Sequence, residues 1–276
     1  MPALAAPLAL AAALLVSACG TAPRATGEAH ASLVAAERAF ARDALDAGVR
    51  AAFLRHFATG GLLFVPAPAR VEDVFARPPA DPHAALLEWE PVASGVAASG
   101  DFGYTTGPAR FSRRDGSSPV RHSTFFSVWK RGDGQPWRVV IDAGVTSPAP
   151  VAHERLAPSP VVRAAAPGVD ASLEALLAGE RGARWTREDF LARLAPDALA
   201  QRSGEWHAAG APAIAAAWPA HEESLQPIGG DMARSGDLAY TYGTTKSAAG
   251  GGHYLHLWTR DATGRAWRIA AALRLP

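Results

Sequence analysis

The sequence predicts an α+β protein of two tandem domains, and three observations predict it. Residues 96–107 return as residues 232–243, with Ser99-Gly100-Asp101, Tyr104-Thr105 and Gly107 matched by Ser235-Gly236-Asp237, Tyr240-Thr241 and Gly243. A second block follows each copy: Val128-Trp129 and Trp137-Arg138-Val139 are echoed by Leu257-Trp258 and Trp267-Arg268-Ile269. In both halves, helical periodicity comes before a run of strand-like segments, which is the order of an α+β domain. The repeat is domain-sized, so it describes two domains and not a solenoid. At 276 residues, 49% of them hydrophobic, the chain is long and apolar enough for two cores.

Before the first domain, residues 2–18 are apolar and rich in Ala and Leu, and Val16-Ser17-Ala18 leads into Cys19, the single cysteine. No intrachain disulfide is therefore available. The run is shorter than the roughly 20 residues that span a bilayer. It resembles a bacterial lipobox, which implies a signal peptide over 1–18, lipidation of Cys19 and a polar tether over 19–30. Gly20 after the cysteine points to the outer membrane rather than the inner one, with the protein anchored in the cell envelope and facing the periplasm.

The first domain is expected over 31–146. Leu33, Ala36, Phe40 and Ala44 recur at helical spacing and predict a helix over 31–47, which Gly48 breaks. Phe53, Leu54 and Phe57 mark a second helix over 49–57. A strand is expected at 62–65, closed by Pro66 and Pro68; 70–82 reads as irregular and 84–89 as one or two helical turns. Strands follow at 90–98, 102–111, 122–130 and 137–143, joined by turns at Ser99-Gly100-Asp101, Arg114-Asp115-Gly116 and Gly132-Asp133-Gly134.

Five prolines make 147–169 a semi-rigid linker. The second domain, 170–276, repeats the plan. Asp170 is expected to cap a helix with Leu173, Leu176 and Leu177 inward, and Thr186 with Asp189 forms a capping box before Phe190. A short helix is expected at 211–218 with Pro212 near its start. Strands are expected at 226–234, 238–245, 253–259 and 267–273.

On Glu37-Arg38-Ala39-Phe40, Phe53-Leu54, the Ser99-Gly100-Asp101 hairpin, Val128-Trp129-Lys130-Arg131 and Trp137-Arg138-Val139, the first domain resembles the NTF2-like (cystatin-like) superfamily, within it the SnoaL-like or DUF4440 group. The second domain is similar through Ser235-Gly236-Asp237, Tyr240, Trp258 and Trp267-Arg268. The resemblance implies a strongly curved antiparallel sheet wrapped on helices, leaving a conical pocket. It does not decide chemistry, because the superfold hosts isomerases, dehydratases, cyclases and non-catalytic binders.

Several residues could carry chemistry in such a cone. Alternation puts Arg138, Val140 and Asp142 on one face of the last strand and Val139 and Ile141 on the other. If the Val140 face lines the cone, Asp142 is a pocket carboxylate able to act as a general base; otherwise it is a strand-end Asp serving the turn at Gly144. The second domain has Ala272 in the matching place. Tyr104 is a candidate oxyanion donor, or a packed strand aromatic. His56 stands beside Phe57 on the second helix, either assisting catalysis or as a structural histidine with no partner visible in the sequence. Trp89, Trp129, Tyr240, His256 and Trp258 are candidate pocket-lining residues, with core packing as the alternative for the tryptophans. No metal site is expected, since His253 and His256 fall on opposite strand faces and no thiol remains beside Cys19. No cofactor motif appears.

A net charge of +1 with scattered arginines excludes a nucleic-acid footprint. The leading expectation is a lipid-anchored, non-enzymatic envelope protein that binds a small apolar ligand or a protein partner. The rival is an isomerase or hydro-lyase in the first domain, with Asp142 as base and Tyr104 or His56 assisting. A third reading is a structural module whose domains pair as an internal pseudo-dimer or form a homo-oligomer.

Overall fold

Helix α1 (Ala22–Asp46) and helix α2 (Val49–His56) are joined at Gly48 and close one side of the first domain. Gly48 has φ 85°, and a Cβ there would meet the Pro82 carbonyl oxygen at 2.3 Å, which is why a glycine turns the chain here. The computed structural model describes residues 22–148, 150, 172–220, 222–261 and 263–276. Cys19, its preceding segment, Asp170 and, of the Pro-rich stretch, residues 149 and 151–169 lie outside them. Among the described residues, no helix is long and apolar enough to cross a membrane.

The expected tether is in large part helix. Helix α1 starts at Ala22, because the apolar stripe of Leu33, Phe40 and Ala44 extends back to the buried Ala29. His30 Nε2 lies 2.8 Å from Ser94 Oγ and ties this early turn to the sheet.

The first sheet contains β1 (Phe57–Phe64), β2 (Pro68–Arg70), β3 (Ala85–Trp89), β4 (Ala93–Val96), β5 (Phe102–Arg113), β6 (Arg121–Lys130) and β7 (Arg138–Ser147), with the short helix α3 (Val71–Val74) between β2 and β3. Its order is β2-β1-β7-β6-β5-β3, with β4 also on β5. All pairs are antiparallel except β1 with β7. The expected helical turn at 84–89 is instead the strand β3. Strand β5 runs to Arg113, and its outer half needs an edge partner, which Ala85–Trp89 supplies in register with residues 109–113. Ladder pairing overrides local helix preference here.

The second domain contains α4 (Leu173–Glu180), β8 (Arg184–Trp185), α5 (Arg187–Ala192), β9 (Leu194–Arg202), β10 (Trp206–Ala209), α6 (Ala211–Ala217), β11 (Glu223–Met232), β12 (Leu238–Ser247), β13 (Gly250–Arg260) and β14 (Trp267–Leu275). Its sheet order, β10-β9-β14-β13-β12-β11-β8, follows that of the first domain, with the single strand β11 where the first sheet has β3 and β4 and with β8 added at the edge. Ser172, not Asp170, caps α4, accepting from Ala175 N at 3.2 Å. The Thr186–Asp189 capping box is present.

The repeated final glycine has a steric cause in both copies. A Cβ on Gly107 would sit 1.8 Å from the Glu90 carbonyl oxygen, and one on Gly243 would sit 2.1 Å from that of Gln226. The neighbouring backbone, the connection between β3 and β4 in the first domain and β11 in the second, passes too closely for any side chain.

A β-bulge also recurs. Trp129 pairs with Val139 while Val128 pairs with Ile141, so Val140 is the extra residue; Trp258 pairs with Ile269 while Leu257 pairs with Ala271, so Ala270 is the extra one. The bulge breaks strict alternation. Val139 packs with the helices, whereas Val140 and Ile141 both pack on the opposite face. This corrects the expected facing: Asp142 points into the cone, but Val140 does not share its face.

Each domain has its own core between helices and sheet, around Phe40, Phe53 and Trp129 in the first and around Phe190, Ile214 and Trp258 in the second. A third core forms where the sheets meet through their outer faces. Phe102, Tyr104, Phe126, Val128 and Ile141 pack there with Leu238, Tyr240, Leu255, Leu257 and Leu273. Around this apolar contact, Lys130 Nζ meets Asp231 at 2.7 Å and Thr124 Oγ1 donates to Gln201 at 2.7 Å. Arg234 spans Asp101 and Asp133 at 3.1 and 2.7 Å.

Candidate functional site

The cone of the first domain holds a small cavity of about 80 Å³ lined by Phe40, Phe53, Leu87, Trp89, Phe125 and Asp142. Aromatic side chains from α1, α2, β3 and β6 form its apolar wall. Asp142 reaches it from β7 because the Val140 bulge lies just upstream. The carboxyl is buried, at 8% exposure. It accepts a hydrogen bond of 2.6 Å from Ser127 Oγ on the paired strand. Burial pushes its pKa up to about 7; the Ser127 hydrogen bond opposes the shift and the Glu37 carboxyl adds to it. Asp142 is therefore balanced between acid and carboxylate near neutrality.

Glu37 is the second buried carboxyl in this cone, with 0% exposure. Trp89 Nε1 donates to its Oε1 at 2.5 Å, and Thr105 Oγ1 and Trp129 Nε1 donate to its Oε2 at 2.5 and 2.9 Å. Burial raises its pKa, against the pull of those hydrogen bonds. In the sequence Glu37 stands out only as the first residue of the Glu37-Arg38-Ala39-Phe40 motif. The overlooked signal is its spacing, four residues after Leu33 and three before Phe40, which puts it on the buried stripe.

Other candidate residues lie elsewhere. Tyr104 is not in the cone: its strand face turns it into the core between the domains, where it stacks on Phe126 at 5.6 Å, and burial raises its pKa. Tyr240 is likewise in that core, stacked on Phe102 at 6.2 Å, and not in a pocket. His56 does have a partner, Asp43 Oδ2 at 2.7 Å, and it stacks on Phe40 at 5.0 Å without lining the cavity. Trp89 lines the cavity. Trp129 and Trp258 are core residues whose indole N–H groups donate to Thr105 at 3.0 Å and to Thr241 at 2.8 Å.

His256 occupies the Ser127 position: it pairs with Ala272 as Ser127 pairs with Asp142. It is fully buried, with Nδ1 2.7 Å from Glu180 Oε1 and Nε2 2.9 Å from Arg274 Nη1. Arginine can only donate, so Nε2 accepts and Nδ1 carries the proton toward Glu180. Burial is the main reason that its pKa is lowered, and the Arg274 charge acts in the same direction. Tyr254 OH donates to Glu180 Oε2 at 2.9 Å, and Arg274 Nε donates to Glu223 Oε2 at 2.9 Å. The second cone is thus filled by its own polar network, and His256 is an internal member of it rather than a pocket wall. Among the described residues, no three His, Cys, Asp or Glu side chains gather as a metal ion would require.

No protein-family model matches the chain, and no curated protein matches it. Among solved structures, the chain is similar to a conserved protein from Planctomyces limnophilus, at 14% identity and TM-score 0.34, over 44% of this chain and 96% of that one. An NTF-2 like protein of unknown function from Shewanella oneidensis is similar at 12% identity and TM-score 0.35, over 41% of this chain and 96% of that one. A ketosteroid isomerase-like protein from Erwinia carotovora atroseptica is similar at 15% identity and TM-score 0.31, over 43% and 93%. The architecture of the chain itself is two tandem α+β cones, each a sheet wrapped on its helices, and the first cone keeps a cavity with a carboxyl in its wall.

Proposed function

We propose that the first domain binds a small, mainly apolar molecule with one polar atom directed at Asp142, on an NTF2-like scaffold. The second domain acts as a built-in dimer partner that covers the outer face of the first sheet. Lipidated Cys19 holds the pair at the cell envelope. The observation that carries the ligand reading is the Asp142 carboxyl in a cavity walled mainly by Phe40, Phe53, Leu87, Trp89 and Phe125, with Ser123 and Thr124 at its side. Such a group donates a hydrogen bond when protonated and accepts one when ionised, so it orients a carbonyl or a hydroxyl. The cavity shares Trp89 and Ala109 with an outer hollow of about 500 Å³, also lined by Glu88, Pro108, Arg110 and His122. A ligand longer than the inner cavity extends past Trp89 into that hollow.

The test is a thermal-shift and calorimetric screen of small cyclic ketones and phenols against the wild type and Ala109→Phe, which fills the inner cavity. Binding to the wild type and loss of binding in Ala109→Phe are expected. Equal binding to both proteins would overturn the reading.

A pKa of about 7 for Asp142 favours a second reading, proton transfer. A carboxylate of that basicity takes a proton from the carbon beside a ligand carbonyl and returns it to another carbon, the chemistry of an isomerase. Neither Tyr104 nor His56 is placed to assist. Exchange of such hydrogens in D2O by the wild type but not by Asp142→Asn would favour this reading over simple binding.

A further inference from the structure

The two cones are copies of one plan, and the second contains a group that the first lacks. His256 pairs with Ala272 and Tyr254 with Arg274 in the second sheet; Ser127 pairs with Asp142 and Phe125 with Gly144 in the first. Gly144 therefore stands where the second domain has Arg274. The Arg274 guanidinium lies 4.8 Å from the ring centre of Trp218, 5.6 Å from that of Phe190 and 5.9 Å from that of Tyr254. Its Nε and Nη2 are 2.9 and 2.8 Å from Glu223 Oε2. One copy of the fold thus holds an organic cation among aromatic rings, with a carboxylate as counter-ion.

The first cone keeps these surroundings without the cation. Phe125 takes the place of Tyr254. Phe53 takes the place of Phe190, since each precedes by four residues the equivalent strand residues Phe57 and Leu194, which pair with Val139 and Ile269. Both rings line the cavity of about 80 Å³, and so does Gly144, where an added Cβ would meet nothing within 4 Å. The carboxyl is supplied by Asp142 on the adjoining turn of the same strand face. No Lys, Arg or His is among the residues lining this cavity. Glu37, the other carboxyl in the cone, receives hydrogen bonds only from the neutral groups of Trp89, Thr105 and Trp129. The remaining charged groups nearby are already matched: His56, stacked on Phe40, by Asp43 at 2.7 Å, and Arg110, in the outer hollow, by Glu88 at 2.7 Å. A buried carboxylate without a base favours a cationic partner. Aromatic walls favour one that carries alkyl groups, because the rings attract the charge and cover the carbon.

We propose that the first cone binds a small alkylammonium or alkylguanidinium cation at the place that Arg274 fills in the second, with Asp142 as its counter-ion. This rests on the ligand reading of the Asp142 cavity and specifies the polar atom as a charged nitrogen. The cavity has the space of two to three water molecules at roughly 30 Å³ each, which suits one charged group with short alkyl substituents.

The test titrates the full chain by calorimetry with tert-butylammonium and with tert-butanol, which share a shape and differ in charge. At pH 8 the wild type should bind the cation about tenfold more tightly than the alcohol. Asp142→Asn should remove that preference. Gly144→Arg, which gives the first cone the second domain's own cation, should abolish binding of tert-butylammonium. The cation needs the ionised carboxylate, and Asp142 titrates at about 7, so its affinity should fall about tenfold from pH 8 to pH 6 while that of the alcohol changes far less. Equal affinity for the two compounds, both lost in Ala109→Phe, would overturn this proposal and leave the ligand reading standing. A preference for the cation that persists in folded Asp142→Asn would overturn it as well. If the wild type binds neither compound, nor any ketone or phenol, both readings fail.

Discussion

Ser99 Oγ and Ser235 Oγ lie 2.8 Å apart, and each also accepts the other serine's backbone N–H, at 3.1 and 3.3 Å. The two copies of the repeated turn therefore meet each other reciprocally, as the halves of an isologous contact do. Asp237 extends the clasp by accepting from Ala98 N at 2.9 Å, and Asp101 does so through Arg234 at 3.1 Å. The Ser-Gly-Asp repeat serves two purposes: it closes a hairpin in each domain and it joins the domains.

This contact predicts energetic coupling. Ser99→Ala and Ser235→Ala should each cost about 1 kcal/mol, and the double variant should cost less than their sum by about 1 kcal/mol. Urea unfolding of the four proteins measures it; strict additivity would mean that the serines do not act together.

Asp142 predicts a stability that declines with rising pH. Its folded pKa of about 7 lies above the ordinary aspartate value of 3.8. The stability it contributes is thus fully present below the unfolded value and is lost as pH rises through 7. Between about pH 5 and pH 8 the loss amounts to about 2–3 kcal/mol, and it should largely vanish in Asp142→Asn. Denaturant midpoints at the two pH values report it. The raised pKa of Glu37 adds a slope of the same sign, which Asp142→Asn retains.

Glu37→Ala should be among the most damaging changes to the first domain, at about 3–5 kcal/mol, because it leaves the Trp89 and Thr105 donors without their acceptor and Trp129 with Thr105 alone. Glu37→Gln keeps an acceptor oxygen and should cost less. Tryptophan fluorescence during unfolding reads both variants, and a neutral Glu37→Ala would contradict the network.

Gly107→Ala and Gly243→Ala should each destabilise by about 3 kcal/mol, because each added methyl group meets a backbone carbonyl of the neighbouring chain segment. Gly116, where an added Cβ meets nothing within 4 Å, provides a comparison at which only the positive φ opposes the change. Calorimetric Tm values order the three.

Cys19→Ser should move the protein from the membrane fraction to the soluble one, in keeping with the single cysteine at the end of an apolar N-terminal run. Fractionation followed by immunoblotting reads this directly. A variant that remains with the membrane would remove the lipid anchor from the proposed function.

Local chemistry made much of this molecule legible from its sequence. The duplication, the helices at Phe40 and Phe53, the turns at Gly100 and Gly236, the capping box at Thr186 and most strands follow from periodicity and turn preference, which act between near neighbours. Whatever depended on distant partners was not legible. Residues 84–89 became a strand because β5 needed an edge, and 22–30 became helix because Ala29 found a sheet to pack against.

The sequence by itself determined two copies of one α+β unit and nominated Asp142, since residue types and spacings are local properties. Only the tertiary structure decided which way each strand face turned. A single extra residue at Val140 put Asp142 inside the cone beside Ser127. The meeting of the two sheets took Tyr104 and Tyr240 out of any pocket and into a shared core. Facing depends on register and bulges across strands far apart in the chain, and one added residue inverts it.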